Sequence, residues 1–171
     1  KFIDENRIEK PLIRDGRGAP MWAPDSQAVI LDEVASRIKE SQRPIGVFLS
    51  PQMSNEELYL AKKLFHDQLK WQKLFLLSPR PEGDQDKFLI RADKNPNRRG
   101  AELLGFSYDS EGLALLLKEC EAKKIDGLII FGQDLLTAVD PCRSQPAFHE
   151  LQWSVFIGSN QNLTSESATY V

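Results

Sequence analysis

The stretch Asp126-Gly-Leu-Ile-Ile-Phe-Gly-Gln-Asp-Leu-Leu136 decides how the chain folds. Leu128, Ile129, Ile130 and Phe131 form an unbroken apolar run bounded by Gly127 and Gly132. The run is too short for a buried helix. Apolar residues at every position imply that both faces are covered, as in a central parallel strand. Burying four such side chains contributes roughly 1.5–3 kcal/mol each before chain entropy is subtracted. A helical pattern from Glu111 to Lys124 leads into the run, and Gly132-Gln133-Asp134 turns the chain after it. In open α/β sheets, ligands sit at such turns, outside the carboxyl ends of the strands.

Working outward, further strands are expected at Ile45 to Ser50, Lys73 to Leu77 and Trp153 to Ile157, with a short one at Phe88-Leu89-Ile90. Helical patterns alternate with them. Asp25 or Ser26 caps a helix running to about Glu40, with Val29, Ile30, Val34 and Ile38 inward. Ser54-Asn-Glu-Glu57 is a capping box, followed by a buried stripe of Leu58, Ala61, Phe65 and Leu69. Asn95-Pro96-Asn97 reads as a cap with proline at the first helical position, opening a short helix through Leu104. Asp109 or Ser110 caps the helix before the central strand. Residues after Leu136, with Pro141 and Pro146, read as a loop.

Residues 1–24 form an extended N-terminal segment turning at Asp15-Gly16-Arg17-Gly18, and residues 25–171 form the sheet domain. The alternation predicts a doubly wound, mainly parallel α/β sheet with helices on both faces. The chain begins at Lys1 and stops at Val171 as an extended run starts. It reads as a piece of a longer protein, truncated at its C-terminal end. Exposed apolar residues are accordingly expected around Phe2, Ile3, Tyr170 and Val171.

The 171 residues suit one domain, able to bury about 70% of its unfolded surface. A net charge of −3 with scattered basic residues excludes the footprint of a nucleic-acid partner. No apolar run approaches the length of a membrane span, so no direct membrane insertion is expected. Cys120 lies on a helical stripe with Leu113, Leu116 and Leu117 and reads as a small core residue, while Cys142 falls in the loop. Neither cysteine has metal-ligand spacing, and His66 and His149 lack ligand partners, so no metal site is expected.

Gly132-Gln133-Asp134 is not a phosphate fingerprint. It is open to two readings: an ordinary strand-to-helix turn, or a nucleotide-edge loop. Glu56 and Glu57 point about 100° apart on a helix and compensate its dipole. Arg98 and Arg99 read as a solvated helix start or as an anion cradle. Asn162-Leu163-Thr164 matches a glycosylation tripeptide that is common by chance. No catalytic residue can be assigned.

Several segments in order carry a resemblance. Asn6-Arg-Ile-Glu-Lys-Pro-Leu-Ile13 is similar to the segment following the last iron–sulfur cysteine of the large iron–sulfur subunit of NADH:quinone oxidoreductase, respiratory complex I. Ser54-Asn-Glu-Glu-Leu-Tyr59 is similar to that family's Thr-Asn-Glu-Glu helix start. Phe88-Leu-Ile-Arg-Ala-Asp-Lys-Asn-Pro-Asn-Arg-Arg-Gly-Ala101 resembles its Asn-Pro-Asn-x-x-Gly stretch. Gly158-Ser-Asn-Gln-Asn-Leu-Thr-Ser165 resembles the run leading to its Val-Leu-Pro.

The resemblance implies a molybdopterin oxidoreductase-like (formate dehydrogenase-like) α/β domain. It also implies partners among the other polypeptides of the peripheral arm, on the cytoplasmic side of a membrane-bound oxidoreductase. The iron–sulfur clusters would lie upstream in the parent chain, with no cofactor in this fragment. The molybdenum enzymes of the superfamily supply a cysteine or selenocysteine after the first βα unit, whereas Asp67 to Lys73 holds none. They also carry Gly-x-Asn-Pro where this chain has Gly132-Gln-Asp-Leu135. The implied function is a cofactor-free structural domain supporting electron transfer. The alternative is a fragment of a molybdenum oxidoreductase of the formate dehydrogenase type, binding a molybdopterin guanine dinucleotide. In either case Gly132, Gln133, Asp134, Ser159 and Asn160 are expected around one crevice with Ser50-Pro51-Gln52, vestigial in the first case. Asp134 would stand there as a like charge against any phosphate.

Overall fold

A computed structural model describes residues 5–14, 20–22, 27–77, 82–108, 110–138 and 141–171. The expected Asp15–Gly18 turn, Phe2, Ile3 and the capping residues Asp25, Ser26 and Asp109 lie outside the described residues. In chain order the elements are β1 (Leu12–Arg14), β2 (Pro20–Trp22), α1 (Gln27–Glu40), β3 (Ile45–Leu49) and α2 (Asn55–Ala61), which runs on as a π-helical segment, Lys62–Gln68. Then follow β4 (Leu74–Leu76), α3 (Arg98–Leu103), α4 (Ser110–Glu121), β5 (Gly127–Phe131), α5 (Leu135–Ala138), α6 (Pro141–His149), β6 (Trp153–Ile157) and α7 (Leu163–Ser167).

Four strands form one parallel sheet in the order β4-β3-β5-β6. The apolar run of β5 is central, with Ile129 beside Val47 of β3 and Val155 of β6. Successive side chains of a strand point to opposite faces, and here each face finds its own core. Phe48, Leu128, Ile130 and Phe156 pack with Leu116 and Cys120 of α4 and Phe148 of α6. Val47, Leu49, Ile129 and Val155 pack with Ile30 of α1, Leu58 of α2, Phe65 and Ala101 of α3. An α/β fold follows, with the parallel sheet placed where the apolar runs predict it.

Gly127 is required by close packing. A Cβ there would stand 2.2 Å from the ring of Trp153, a buried side chain on the neighbouring strand. The Trp153 indole N–H donates to Ser41 Oγ at 3.2 Å, which anchors the ring.

Several expectations are corrected. Phe88-Leu89-Ile90 forms no strand; it is the tip of an irregular loop, and its three backbone N–H groups donate to the Asp86 carboxylate. The Pro141–Pro146 loop is helix α6. Pro141 stands at the first position, where its missing N–H is harmless, and burial of Ala147 and Phe148 outweighs the one bond lost at Pro146. Pro96 precedes α3 and Asn97 occupies the cap position without a side-chain cap bond; its amide instead donates to the Met53 carbonyl and Asn55 Oδ1.

Leu69, expected on the buried stripe, is 40% exposed. The i→i+5 bonding of the π-helical segment, seen in Leu69 N–H to Leu64 carbonyl at 2.9 Å, widens the turn and rotates Leu69 off the stripe. Val29 is likewise exposed, while Ile30 is buried and Val34 and Ile38 pack against the same core as expected.

The expected exposed end at Tyr170 is also corrected: Tyr170 is buried. It bridges Val155 of β6 on one side and Ile13 of β1 on the other. Backbone bonds between Leu12 and Val171 (2.8 and 2.9 Å) and from Arg14 N–H to Thr169 carbonyl (2.8 Å) tie β1 to this run.

Candidate functional site

In sequence, β3 is followed by β4 on one side and then by β5 on the other. The winding therefore reverses between β3 and β5. A crevice outside the carboxyl ends of the strands is the expected consequence. The structure has one there, about 750 Å³, lined by Ser50 and Gln52 after β3, Gly132 after β5, and Gly158, Ser159 and Asn160 after β6.

The two loops at the reversal are stitched by a buried polar pair. Gln133 Nε2 donates to Ser50 Oγ, and the same hydroxyl accepts the Gln52 N–H at 3.0 Å. Gly132 takes φ +60°, a left-handed conformation open to glycine at little strain. Its N–H donates to the Ile157 carbonyl at 2.7 Å, and Met53 N–H donates to the Ser50 carbonyl at 3.1 Å. These lip donors are thus committed to the protein itself.

Of the residues expected around the crevice, Gly132, Ser159 and Asn160 line it. Gln133 does not; it is buried behind the lip on Ser50. Asp134 does not either. Its Oδ2 accepts Thr137 Oγ1–H at 2.6 Å, and its Oδ1 accepts Thr164 Oγ1–H at 2.8 Å and the Thr164 N–H at 3.2 Å. Partial burial opposes its ionisation, but the bonds from Thr137 and Thr164 together outweigh it and hold the carboxyl below its usual range. Asp134 is a local cap that anchors α7, rather than a charge facing a ligand.

The crevice wall escaped sequence reasoning. Leu60, Leu64 and Phe65, from α2 and its π-helical continuation, line it with Met53, Phe131 and Ile157. Phe65 stacks on Trp71 at 5.3 Å and meets Phe131 edge-on at 6.2 Å. The available signal was Leu60 and Leu64, an i, i+4 apolar pair outside the main buried stripe. Glu57 also reaches the rim while its carboxylate closes the capping box on Ser54 N–H at 2.8 Å.

No family model and no curated protein matches this chain.

The remaining candidates are structural. His66 Nδ1 sits 2.8 Å from Asp67 at the surface, and His149 closes α6. Asn162 Oδ1 accepts the Ser165 N–H at 2.8 Å as the cap of α7, and Thr164 is buried. Arg98 and Arg99 both face Glu102, at 3.2 and 3.3 Å. Cys120 lies in the core, where burial pushes its thiol up to about 12. Among the described residues no group of His, Cys, Asp and Glu could hold a metal ion, and no helix is long and apolar enough to cross a membrane.

A pterin–guanine dinucleotide would bring a diphosphate to the crevice. Diphosphate recognition uses Arg or Lys, free backbone N–H groups, or a helix N-terminus. Among the described residues the lining holds no Lys or Arg, and the N–H groups of Gln52, Met53 and Gly132 are bonded internally. Glu57 adds a like charge, worth about 1 kcal/mol of repulsion at 4 Å in a solvated rim. The described lining residues offer the diphosphate no cationic partner.

Proposed function

We propose that this chain is a cofactor-free structural domain of the large iron–sulfur subunit of NADH:quinone oxidoreductase, with the molybdopterin oxidoreductase-like fold. The observation that supports the cofactor-free reading is the crevice at the winding reversal, whose lining among the described residues has no basic side chain and whose Gln52, Met53 and Gly132 N–H groups are bonded within the protein. The ordered resemblance of residues 6–13, 54–59, 88–101 and 158–165 supports the family. On this reading the clusters upstream in the parent chain carry the electrons. The present domain packs against the cluster-bearing part and other polypeptides of the peripheral arm, on the cytoplasmic side, and performs no chemical step.

Two measurements test the reading. Calorimetric titration with GDP and GTP is expected to show no binding below millimolar; a micromolar Kd would overturn it in favour of a dinucleotide-binding domain. Affinity purification of the tagged native protein is expected to bring down NADH:quinone oxidoreductase activity. Recovery in a molybdenum-containing complex lacking that activity would refute the assignment.

A further inference from the structure

The loop of residues 82–94 holds three consecutive apolar side chains in water. Phe88 is 89% exposed, Leu89 80% and Ile90 is exposed as well. Solitary exposed apolar residues are ordinary, but a contiguous apolar patch marks an interaction site. Nor is this loop a slack one. Asp86 Oδ1 accepts the N–H groups of Phe88, Leu89 and Ile90 at 2.8, 2.7 and 2.8 Å, so one carboxylate oxygen fixes the backbone of all three. Asp86 N–H donates to the Ile90 carbonyl and Gly83 N–H to the Ala92 carbonyl, both at 2.9 Å. Lys94 Nζ closes the base on the carbonyls of Asp84 and Arg91 at 2.6 Å. These local bonds hold the tip in a shape that buries none of its apolar side chains, and such pre-organisation lowers the entropy lost on docking.

Charge identifies what the tip fits. The triplet is flanked by Lys87 and Arg91, both exposed, and neither forms an ion pair among the described residues. The loop as a whole is not cationic: Glu82, Asp84, Asp86 and Asp93 against Lys87, Arg91 and Lys94 leave −1. Attraction to an anionic lipid surface uses clusters of four or more basic residues, so a membrane is disfavoured. We propose that Phe88-Leu89-Ile90 is a preformed docking knob for a protein partner. The partner surface is an apolar pocket with carboxylates on its rim, placed to meet Lys87 and Arg91. Aromatic anchors entering a desolvated pocket inside a charged rim are the usual energetic centre of an interface. The inference stands on this loop and does not require the functional reading above.

The test is zero-length carbodiimide coupling on the gently purified native assembly, which joins Lys87 Nζ to a carboxylate at salt-bridge distance. Lys87 is expected to couple to an Asp or Glu of another polypeptide, in a segment rich in apolar residues. Phe88→Ser and Leu89→Ser should each lower the yield at least tenfold while leaving the urea midpoint unchanged, since both side chains are in water. Absence of coupling, coupling only to a second copy of this chain, or yields unaffected by both substitutions would overturn the proposal. So would binding of the wild-type protein to phosphatidylserine vesicles that is lost in Phe88→Ser. Coupling to a polypeptide foreign to any NADH:quinone oxidoreductase would sustain the knob and count against the functional reading, so the two fail separately.

Discussion

Replacing Asp126 by alanine should remove the main polar fastening at the amino ends of the strands. The carboxylate is 2% exposed. Its Oδ2 accepts the N–H groups of Gln42 and Arg43 at 2.8 and 2.9 Å. Its Oδ1 accepts Arg43 Nε–H at 2.6 Å and Gln152 Nε2–H at 3.0 Å. One side chain therefore joins the segment before β3 and the segment before β6 to the start of β5. In Asp126→Ala the two backbone N–H groups lose their acceptor, at roughly 1–3 kcal/mol each. The Arg43 guanidinium loses less, because at 39% exposure it can turn to water and still reach the Lys123 carbonyl. The expected loss is about 3–5 kcal/mol, the range for breaking one side of a buried ion pair. Asp126→Asn keeps one acceptor for the backbone but presents an amide N–H₂ to cationic Arg43, so about half that loss is expected. Urea unfolding followed by far-UV circular dichroism would read both. With a slope of roughly 2 kcal/mol/M, the alanine midpoint should fall by about 2 M. A loss below about 1 kcal/mol for alanine, or asparagine as harmful as alanine, would show that water replaces the carboxylate and that the fastening is not structural.

Gly127→Ala should destabilise by about 1–3 kcal/mol or more, because its Cβ meets the Trp153 ring at 2.2 Å; near-wild-type thermal unfolding would contradict this packing. For Asp134, whose folded pKa is depressed, the associated stability is present above the ordinary carboxylate value near 3.8 and lost as pH falls through the lower folded value. Asp134→Asn should therefore lose part of the acid-side fall in stability, and an unchanged pH profile between about 4 and 2 would refute the cap assignment. In a Cys142→Ser background, Cys120 should resist thiol reagents in the native state and react on unfolding, since its thiol is buried and raised to about 12; rapid native labelling would show that the α4 face opens readily.

The parallel sheet was legible because burial on both faces leaves a local mark. Leu128–Phe131 admit no polar residue, and Ile45–Leu49 and Trp153–Ile157 interrupt their apolar character only at Gly46 and Ser154. The position of the crevice was legible for a related reason: the turns after parallel strands emerge on one edge, so Ser50, Gly132, Ser159 and Asn160 meet whatever their own side chains prefer. Which residues face that crevice was legible only in part: Gly132, Ser159 and Asn160 do, whereas Gln133 and Asp134 do not. Asp134 turns away because Thr164, thirty residues downstream, offers it a hydroxyl and an N–H. Gln133 goes under the lip because Ser50, in the loop after β3, accepts its amide. The same non-locality carries α6 through Pro146, where the core contacts of Ala147 and Phe148 outweigh one missing bond. It also buries Tyr170, which sits between Val155 and Ile13 from opposite ends of the chain. Runs and capping boxes are set by neighbours within a turn or two and can be read from sequence. Side-chain direction in the loops is set by whichever partner the fold brings within hydrogen-bond reach, and only the tertiary structure decides that.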